Sequence, residues 1–327
     1  MTLAQLALQN LVSPMVMFFI IGLVAALLRS DLSVPDAVSK LLSIYLLMAI
    51  GFRGGAEVAH QGVTLHLLAT IGAGIALSFA TPYVAYALLK RMSRLEPVDA
   101  AAVAAHYGSI SAVTFAAVTG TLVQLGMPFE GSLVAVAAAM EAPAIVAALN
   151  IARPHRQPAA GPQLAPQGVM REVLANGSIV VLVGAFVVGA VTGERGLTMV
   201  KPFLVDLFPG FLCLFLLDMG LLAGRGLEKG RKYLTHALGA FAILMPLLSA
   251  AAGAATALAL GLSPGGTAVL MTLAASASYI AVPAALRLAL PEANGAIPLT
   301  MSLGLTFPFN LVIGIPLYIA VANMIAK

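Results

Sequence analysis

Long apolar segments separated by short polar ones run along the whole 327-residue chain, and their lengths predict membrane-spanning helices. A helix needs about 20 apolar residues to cross a bilayer. The first segment has no basic stretch before it and no clear small-residue cleavage site after it, which favours a retained span over a signal peptide. We predict ten spans, near residues 11–28, 37–52, 66–89, 98–122, 132–152, 173–193, 203–223, 234–261, 265–290 and 297–325.

The composition supports an integral membrane protein. Charged residues make up 9% of the chain and the mean hydropathy is +1.01, whereas soluble domains contain roughly 25% charged residues. The net charge of +4 comes from basic residues scattered over short loops, and this pattern excludes a nucleic-acid-binding stripe. The single cysteine, Cys213, excludes an internal disulfide.

The distribution of basic residues predicts the orientation. With both termini outside, the loops on the cytoplasmic side carry 13 of the 17 Lys and Arg residues, and the other side carries four. Cytoplasmic loops of membrane proteins are enriched in Lys and Arg. We therefore expect a multi-pass protein of the bacterial inner membrane with both termini extracytoplasmic.

A polar, Pro-rich stretch in the middle of the chain predicts a cytoplasmic linker at residues 153–172. It separates a first five-span half, residues 1–152, from a second half, residues 173–327. Because each half has an odd number of spans, any structural repeat must be inverted. Three weak internal matches support one: 45–54 with 215–224, 109–111 with 276–278, and 142–143 with 307–308.

Two apolar segments, one in each half, are interrupted by small and hydroxyl residues, at 108–114 (GSISAVT) and at 276–283 (SASYIAVP). Matching interrupted helices in two halves are the best sequence indicator of a transporter's binding site. The freed backbone amides at a helix N-terminus favour an anion, although such serines also bond to their own helix or pack helices together. The predicted substrate-binding residues are Gly108, Ser109, Ser111, Ala112, Thr114, Ser276, Ala277, Ser278 and Tyr279.

Acidic residues within spans are candidates for the coupling cation. A carboxylate at the centre of a membrane helix costs roughly 2.5–3.5 kcal/mol on insertion scales, and such residues usually face a cavity or a cation. Glu141 is the first candidate, as a sodium ligand, a proton carrier or a hydrogen-bonded acid, with Thr306 and Asn310 as its counterparts in the other half. Asp218 and His106 are further candidates; Asp218 could instead pair with Arg225.

Sequence motifs for enzyme chemistry are lacking. We find no phosphate-binding Gly-Lys-Ser/Thr loop, no His-Glu-x-x-His and no Gly-x-Ser-x-Gly. We therefore predict that the protein is not an enzyme and that transport is driven by a gradient.

Several motifs resemble the sodium-dependent bicarbonate transporter family. They are 98–100 (VDA), 107–111 (YGSIS), 140–144 (MEAPA), 274–278 (AASAS), 291–294 (PEAN) and 314–316 (GIP). The resemblance implies an all-α fold of ten helices in two inverted repeats, with broken, crossing helices in spans four and nine. It also implies bicarbonate between the two breaks, Na⁺ beside it, a homotrimeric elevator-type carrier and a PII-like cytoplasmic regulator.

The chain departs from the family pattern at both breaks. The first break lacks a glycine and a hydroxyl at Ala112 and Val113, and Tyr279 replaces an aspartate in the second. From the resemblance we predict sodium-coupled uptake of bicarbonate. Because of these departures, we include a similar small anion as the substrate. The alternatives are a cation- or proton-coupled carrier of another carboxylate, a non-transporting anion sensor, and a passive channel.

Overall fold

The computed structural model describes residues 11–62, 64–155 and 177–326, and every regular element in this part of the chain is a helix. Eight helices are long and apolar enough to cross a membrane, and two shorter apolar helices accompany them. The prediction of an all-α membrane protein is confirmed. In chain order the helices are α1 Pro14–Leu27, α2 Asp36–Gln61, α3 Leu65–Met92, α4 Pro97–Gly108, α5 Ala112–Gln124, α6 Leu133–Ala139, α7 Pro143–Ala152, α8 Gly177–Leu204, α9 Phe208–Gly230, α10 His236–Leu260, α11 Pro264–Ala275, α12 Ala281–Ala289 and α13 Ala296–Ile325.

Three predicted spans need correction. The span at 37–52 continues to Gln61, and Arg53 and Glu57 in this continuation line a cavity of about 360 Å³. The span at 132–152 is interrupted between Ala139 and Pro143. The predicted start of the span at 173–193 lies outside the described residues, and the helix, described from Gly177, continues beyond Gly193, whose φ of 57° kinks it.

The predicted linker lies mostly outside the described residues. Only its first turn is described, a 3₁₀ helix at Arg153–His155.

Helices α1, α2, α8 and α9 form one group, which we call the outer group. Within it, α2 packs along α8 and α1 packs along α9. Glycines bring the backbones together: a Cβ at Gly55 would lie 1.9 Å from the carbonyl oxygen of Phe186, and one at Gly22 would lie 2.0 Å from that of Leu217. Both distances are well inside van der Waals contact, so only glycine fits.

The remaining helices, α3–α7 and α10–α13, form the inner group. Helices α3, α4 and α7 pack together, as do α10, α11 and the last part of α13. In the most apolar 18-residue stretch of the span that contains α4 and α5, 94% of the residues are buried, against 17% in the corresponding stretch of α8. Backbone that leaves the helix within a membrane must be shielded by protein, and the inner group provides that protection around the first break.

Helix α13 contains two π-helical stretches, Thr300–Thr306 and Asn310–Gly314, on either side of Phe307–Phe309. Pro308 lacks the N–H that would continue the regular hydrogen-bond ladder. π-Helical turns occur often at functional sites. Thr306 and Asn310, two of the predicted cation ligands, lie at the edges of these stretches.

Candidate functional site

The first predicted interruption is present, between α4 and α5. Helix α4 ends at Gly108, and Ser109 is extended, with φ −94° and ψ 147°. Ser111 caps the next helix: its hydroxyl accepts a hydrogen bond from the Thr114 amide at 3.2 Å. This capping contact is worth about 1 kcal/mol. The Ser111 hydroxyl therefore has a structural role in addition to its predicted place in the substrate site.

The second interruption is also present, between α11 and α12. Helix α11 ends at Ala275, and Ser276 is extended, with φ −76° and ψ 159°. Helix α12 starts at Ala281 without a conventional side-chain cap. The nearest substitute is the Ser278 hydroxyl, which lies 3.5 Å from the Val282 amide. Pro283 carries no N–H, so the poorly satisfied amides in the first turn of α12 are those of Ala281 and Val282.

Hydrogen bonds join the two breaks to each other. The Ser111 amide donates to the Ser276 hydroxyl at 2.9 Å, and the Ser278 amide donates to the His106 carbonyl at 2.8 Å. All these residues are at most 2% exposed. Two segments 165 to 172 positions apart in the chain thus meet inside the protein.

A small chamber lies where the breaks meet. Its volume is about 10 Å³, close to the roughly 10–15 Å³ that one water requires on this measure. An anion the size of bicarbonate therefore enters only if the walls separate. The lining residues are Ile110, Ser111, Ala112, Glu141, Ser178, Ser278, Tyr279, Ile280 and Ala281.

Tyr279 contributes a free polar group to this chamber. Its side chain is buried, and its hydroxyl lies near Ser111 without a hydrogen-bond partner of ordinary geometry in the described part of the chain. A buried hydroxyl without a partner costs about 1–3 kcal/mol. The aromatic ring packs edge-on against Phe307, with centroids 5.6 Å apart. Tyr279 is thus held in place by its ring, while its hydroxyl is available.

Glu141 lies at a third interruption, between α6 and α7. The Ser109 hydroxyl approaches Glu141 Oε2 at 3.0 Å and its carbonyl oxygen at 3.2 Å. Ser78 on α3 donates to the neighbouring Met140 carbonyl at 2.6 Å. The carboxyl group is buried and lines the chamber. The structure therefore brings one predicted cation ligand next to the predicted anion site.

Thr306 and Asn310 have other partners, and no described hydrogen bond links either to Glu141. The Thr306 hydroxyl donates to the Ala242 carbonyl at 2.8 Å and pairs with the Tyr107 hydroxyl at 2.6 Å. The Asn310 side-chain nitrogen, Nδ2, donates to the Ala275 carbonyl at 2.8 Å. Each residue thus contacts the helix end next to one break, Tyr107 before the first and Ala275 before the second.

The other two candidates lie in different places. Asp218 is in the outer group, buried beside Ser39 and near Arg225, and its Oδ2 has no hydrogen bond within the described residues. It does not line the chamber. His106 lies at the crossing itself, where its ring bonds to the Ser278 carbonyl.

Sequence reasoning missed several residues that support the site. The Tyr107 hydroxyl bonds to the Thr306 hydroxyl at 2.6 Å. The Tyr318 hydroxyl donates to Asn310 Oδ1 at 2.9 Å. Ser178, in the first turn of α8, lines the chamber from the outer group. Only Tyr107 had a local signal, since it precedes the glycine at which α4 ends. The others are distant in the chain from both breaks.

Two comparisons with known proteins bear on this arrangement. No curated protein matches the chain. The family model of the Na⁺-dependent bicarbonate transporter superfamily matches residues 14–323, which include both breaks, Glu141 and α13. The residues that carried the resemblance in the sequence lie within this match. The chain therefore belongs to the Na⁺-dependent bicarbonate transporter superfamily.

Proposed function

We propose that the protein is a secondary active carrier that couples uptake of bicarbonate, or a similar small anion, to sodium. The observation that carries the proposal is the contact between the two breaks. Hydrogen bonds from Ser111 and Ser278 join them inside the protein, around a chamber lined by hydroxyl groups. Membership of a sodium-dependent bicarbonate transporter family supports the same substrate and coupling ion.

The anion would bind between the N-terminal ends of α5 and α12. A helix N-terminus carries about half a positive charge and unpaired amides. Helix α12 has no conventional side-chain cap and Pro283 carries no N–H, so the Ala281 amide is the group of its first turn that is available to an anion. The Ser278 hydroxyl and the Tyr279 hydroxyl would donate hydrogen bonds from the same side. These groups recognise a small oxyanion with several acceptor atoms.

Sodium would bind beside the anion, with Glu141 as the charged ligand. The Ser109 hydroxyl and the nearby Glu141 carbonyl are neutral oxygens of the kind that a hard cation prefers. Thr306 and Asn310 would contribute indirectly, because they hold the helix ends at Tyr107 and Ala275. Inward movement of one net positive charge gains about 2.3 kcal/mol per 100 mV. Cotransport of sodium in excess of the anion's charge would therefore concentrate the anion.

The transport movement would be of the elevator type, with the inner group sliding against the outer group. The pairing of helices supports this division and an inverted repeat. The first span of the first half, α1, packs along α9, the second span of the other half, and α2 packs along α8 in the reciprocal way. On this proposal residues 1–152 and 173–327 are the two repeats, and 153–172 is the cytoplasmic linker.

The proposal extends to the protein's membrane, its orientation and its partner proteins. The excess of basic residues in alternate loops favours an inner-membrane protein with both termini extracytoplasmic. The family resemblance favours a homotrimer and a PII-like regulator that binds from the cytoplasm.

A second substrate class has its own supporting observation. The residues that line the chamber include Ile110, Ile280, Ala281 and Tyr279, which have apolar side chains or an aromatic ring. Apolar walls beside hydroxyl donors suit a short monocarboxylate, which has one apolar end. A cation- or proton-coupled carrier of such an anion is therefore the alternative.

Uptake by proteoliposomes tests the proposal. Labelled bicarbonate should accumulate when sodium is higher outside, and accumulation should increase with an inside-negative potential. Ser278→Ala should raise KM about 5- to 150-fold, because the anion loses a buried donor worth about 1–3 kcal/mol. Ser302→Ala is the matched control, since Ser302 is equally buried and its hydroxyl, among the described residues, bonds within its own helix to the Pro298 and Leu299 carbonyls.

Two results would contradict the proposal. Absence of sodium-stimulated bicarbonate uptake, together with uptake of acetate or formate, would establish the alternative substrate class. Flux that neither saturates nor accumulates any anion would establish a channel.

A further inference from the structure

We infer that His106 is the positioning residue of the proposed anion site, an assignment that depends on the proposed function. Its ring and its backbone together hold the main chain of Ser278. The ring Nδ1 lies 2.6 Å from the Ser278 carbonyl oxygen, and the Ser278 amide donates to the His106 carbonyl at 2.8 Å. The two residues, 172 positions apart, thus bind each other through two reciprocal hydrogen bonds.

The hydrogen bond fixes the protonation of the ring. A carbonyl oxygen can only accept, so the proton must be on Nδ1. His106 is 2% exposed, which limits exchange of this partner for water. His106 also lines a separate cavity of about 380 Å³ between α4, α12 and the start of α13. The His106–Ser278 pair consequently stands between that cavity and the chamber, which Ser278 lines.

This contact determines which group of Ser278 meets the anion. Its amide and its carbonyl are both bonded to His106, and its hydroxyl makes only a long contact, 3.5 Å from the Val282 amide. The hydroxyl proton is therefore free to be donated into the chamber. Without the His106 ring, the Ser278 carbonyl could rotate toward the chamber, where its partial negative charge would repel an anion. Loss of the ring should thus weaken anion affinity more than it slows turnover.

Two amide substitutions separate this role from a role in proton transfer. In His106→Asn the side-chain nitrogen is as many bonds from Cα as Nδ1, so it can still donate to the Ser278 carbonyl. In His106→Gln the nitrogen is one bond further away, near the position of Nε2. We expect His106→Asn to keep KM for bicarbonate within about threefold of wild type, and His106→Gln and His106→Ala to raise it roughly 10- to 100-fold. The maximal uptake rate should change less than KM in all three.

His66 provides the matched control. Its ring also bonds to a backbone carbonyl of the other half, that of Leu260 at 2.8 Å, but it is exposed and does not line the chamber. His66→Ala should leave KM unchanged. Equal KM values in His106→Asn and His106→Gln would overturn the inference. So would a pH–uptake profile of His106→Asn that differs from wild type, because that result would assign the ring a titrating role.

Nitrogen-15 spectra of histidine-labelled protein test the contact without transport. The chain has five histidines, and the signal lost in His106→Asn identifies the ring of interest. We expect the tautomer with the proton on Nδ1. The other tautomer would overturn the inference directly. Wild-type protein that shows this tautomer but no sodium-driven uptake of any anion would instead contradict the proposed function.

Discussion

Ser276→Ala should destabilise the protein more than any other single serine-to-alanine change at the breaks. The Ser276 hydroxyl accepts a hydrogen bond from the Ser111 amide at 2.9 Å and donates one to the Leu273 carbonyl at 2.8 Å. The Leu273 carbonyl keeps a partner, since the Ser276 amide also donates to it, at 3.3 Å. The Ser111 amide loses its acceptor in a site where Ser111 is only 2% exposed.

The expected cost follows from that unpaired amide. A buried donor left without a partner costs about 1–3 kcal/mol, and the lost bond to Leu273 adds up to about 1 kcal/mol. We therefore expect a loss of about 2 kcal/mol in unfolding free energy, which lowers Tm by about 3–6 °C for a protein of this size. In Ser302→Ala the hydroxyl is lost but no amide is left without a partner, and Tm should fall by less than about 2 °C.

Thermal unfolding of purified protein in detergent provides the measurement. The chain contains no tryptophan, so the fraction of protein that remains monodisperse on size-exclusion chromatography after heating is a better signal than intrinsic fluorescence. Equal Tm values for Ser276→Ala and Ser302→Ala would refute the reasoning. They would mean that the hydrogen bond between Ser111 and Ser276 contributes nothing to the stability of the folded protein.

Three further predictions concern the chamber and the outer group. Glu141→Gln should abolish stimulation of uptake by sodium while the protein still folds, and sodium-stimulated uptake by this variant would remove Glu141 from the cation site. Tyr279→Phe should leave Tm unchanged or raise it by up to about 3 °C, because the lost hydroxyl has no partner of ordinary geometry among the described residues, yet it should raise KM for the anion. A decrease in Tm would show that the hydroxyl is bonded in the folded protein. Gly55→Leu should prevent accumulation of folded protein, since a Cβ there would lie 1.9 Å from the Phe186 carbonyl oxygen. Gly72→Leu, where the added Cβ meets nothing within 4 Å, is its control.

The positions of the two breaks could be predicted from the sequence because the signal is local. Small and hydroxyl residues interrupt an apolar run, and the helices end at Gly108 and Ala275, next to these residues. The interruption at Glu141 had only a partial signal, the nearby Pro143. The continuation of α2 to Gln61 was missed because hydropathy does not distinguish a polar residue facing an internal cavity from one at the membrane surface.

Hydrogen bonds between residues that are distant in the chain could not be predicted. Thr306, Asn310 and Glu141 were grouped on chemical grounds, since each offers oxygen atoms. In the structure Thr306 instead bonds to Tyr107, and Asn310 bonds to the Ala275 carbonyl. Such pairings depend on how the two halves cross, and residue type carries no information about that geometry. The reciprocal contact of His106 with Ser278 was missed for the same reason.

The glycine contact between α2 and α8 has a mechanical consequence. Where the backbone of one helix touches that of its neighbour, no flexible side chain lies between them to absorb a rotation or a shift of register. The part of α8 before Gly193 must therefore move together with α2, and any bending of α8 is expected at the kink instead of at the glycine contact.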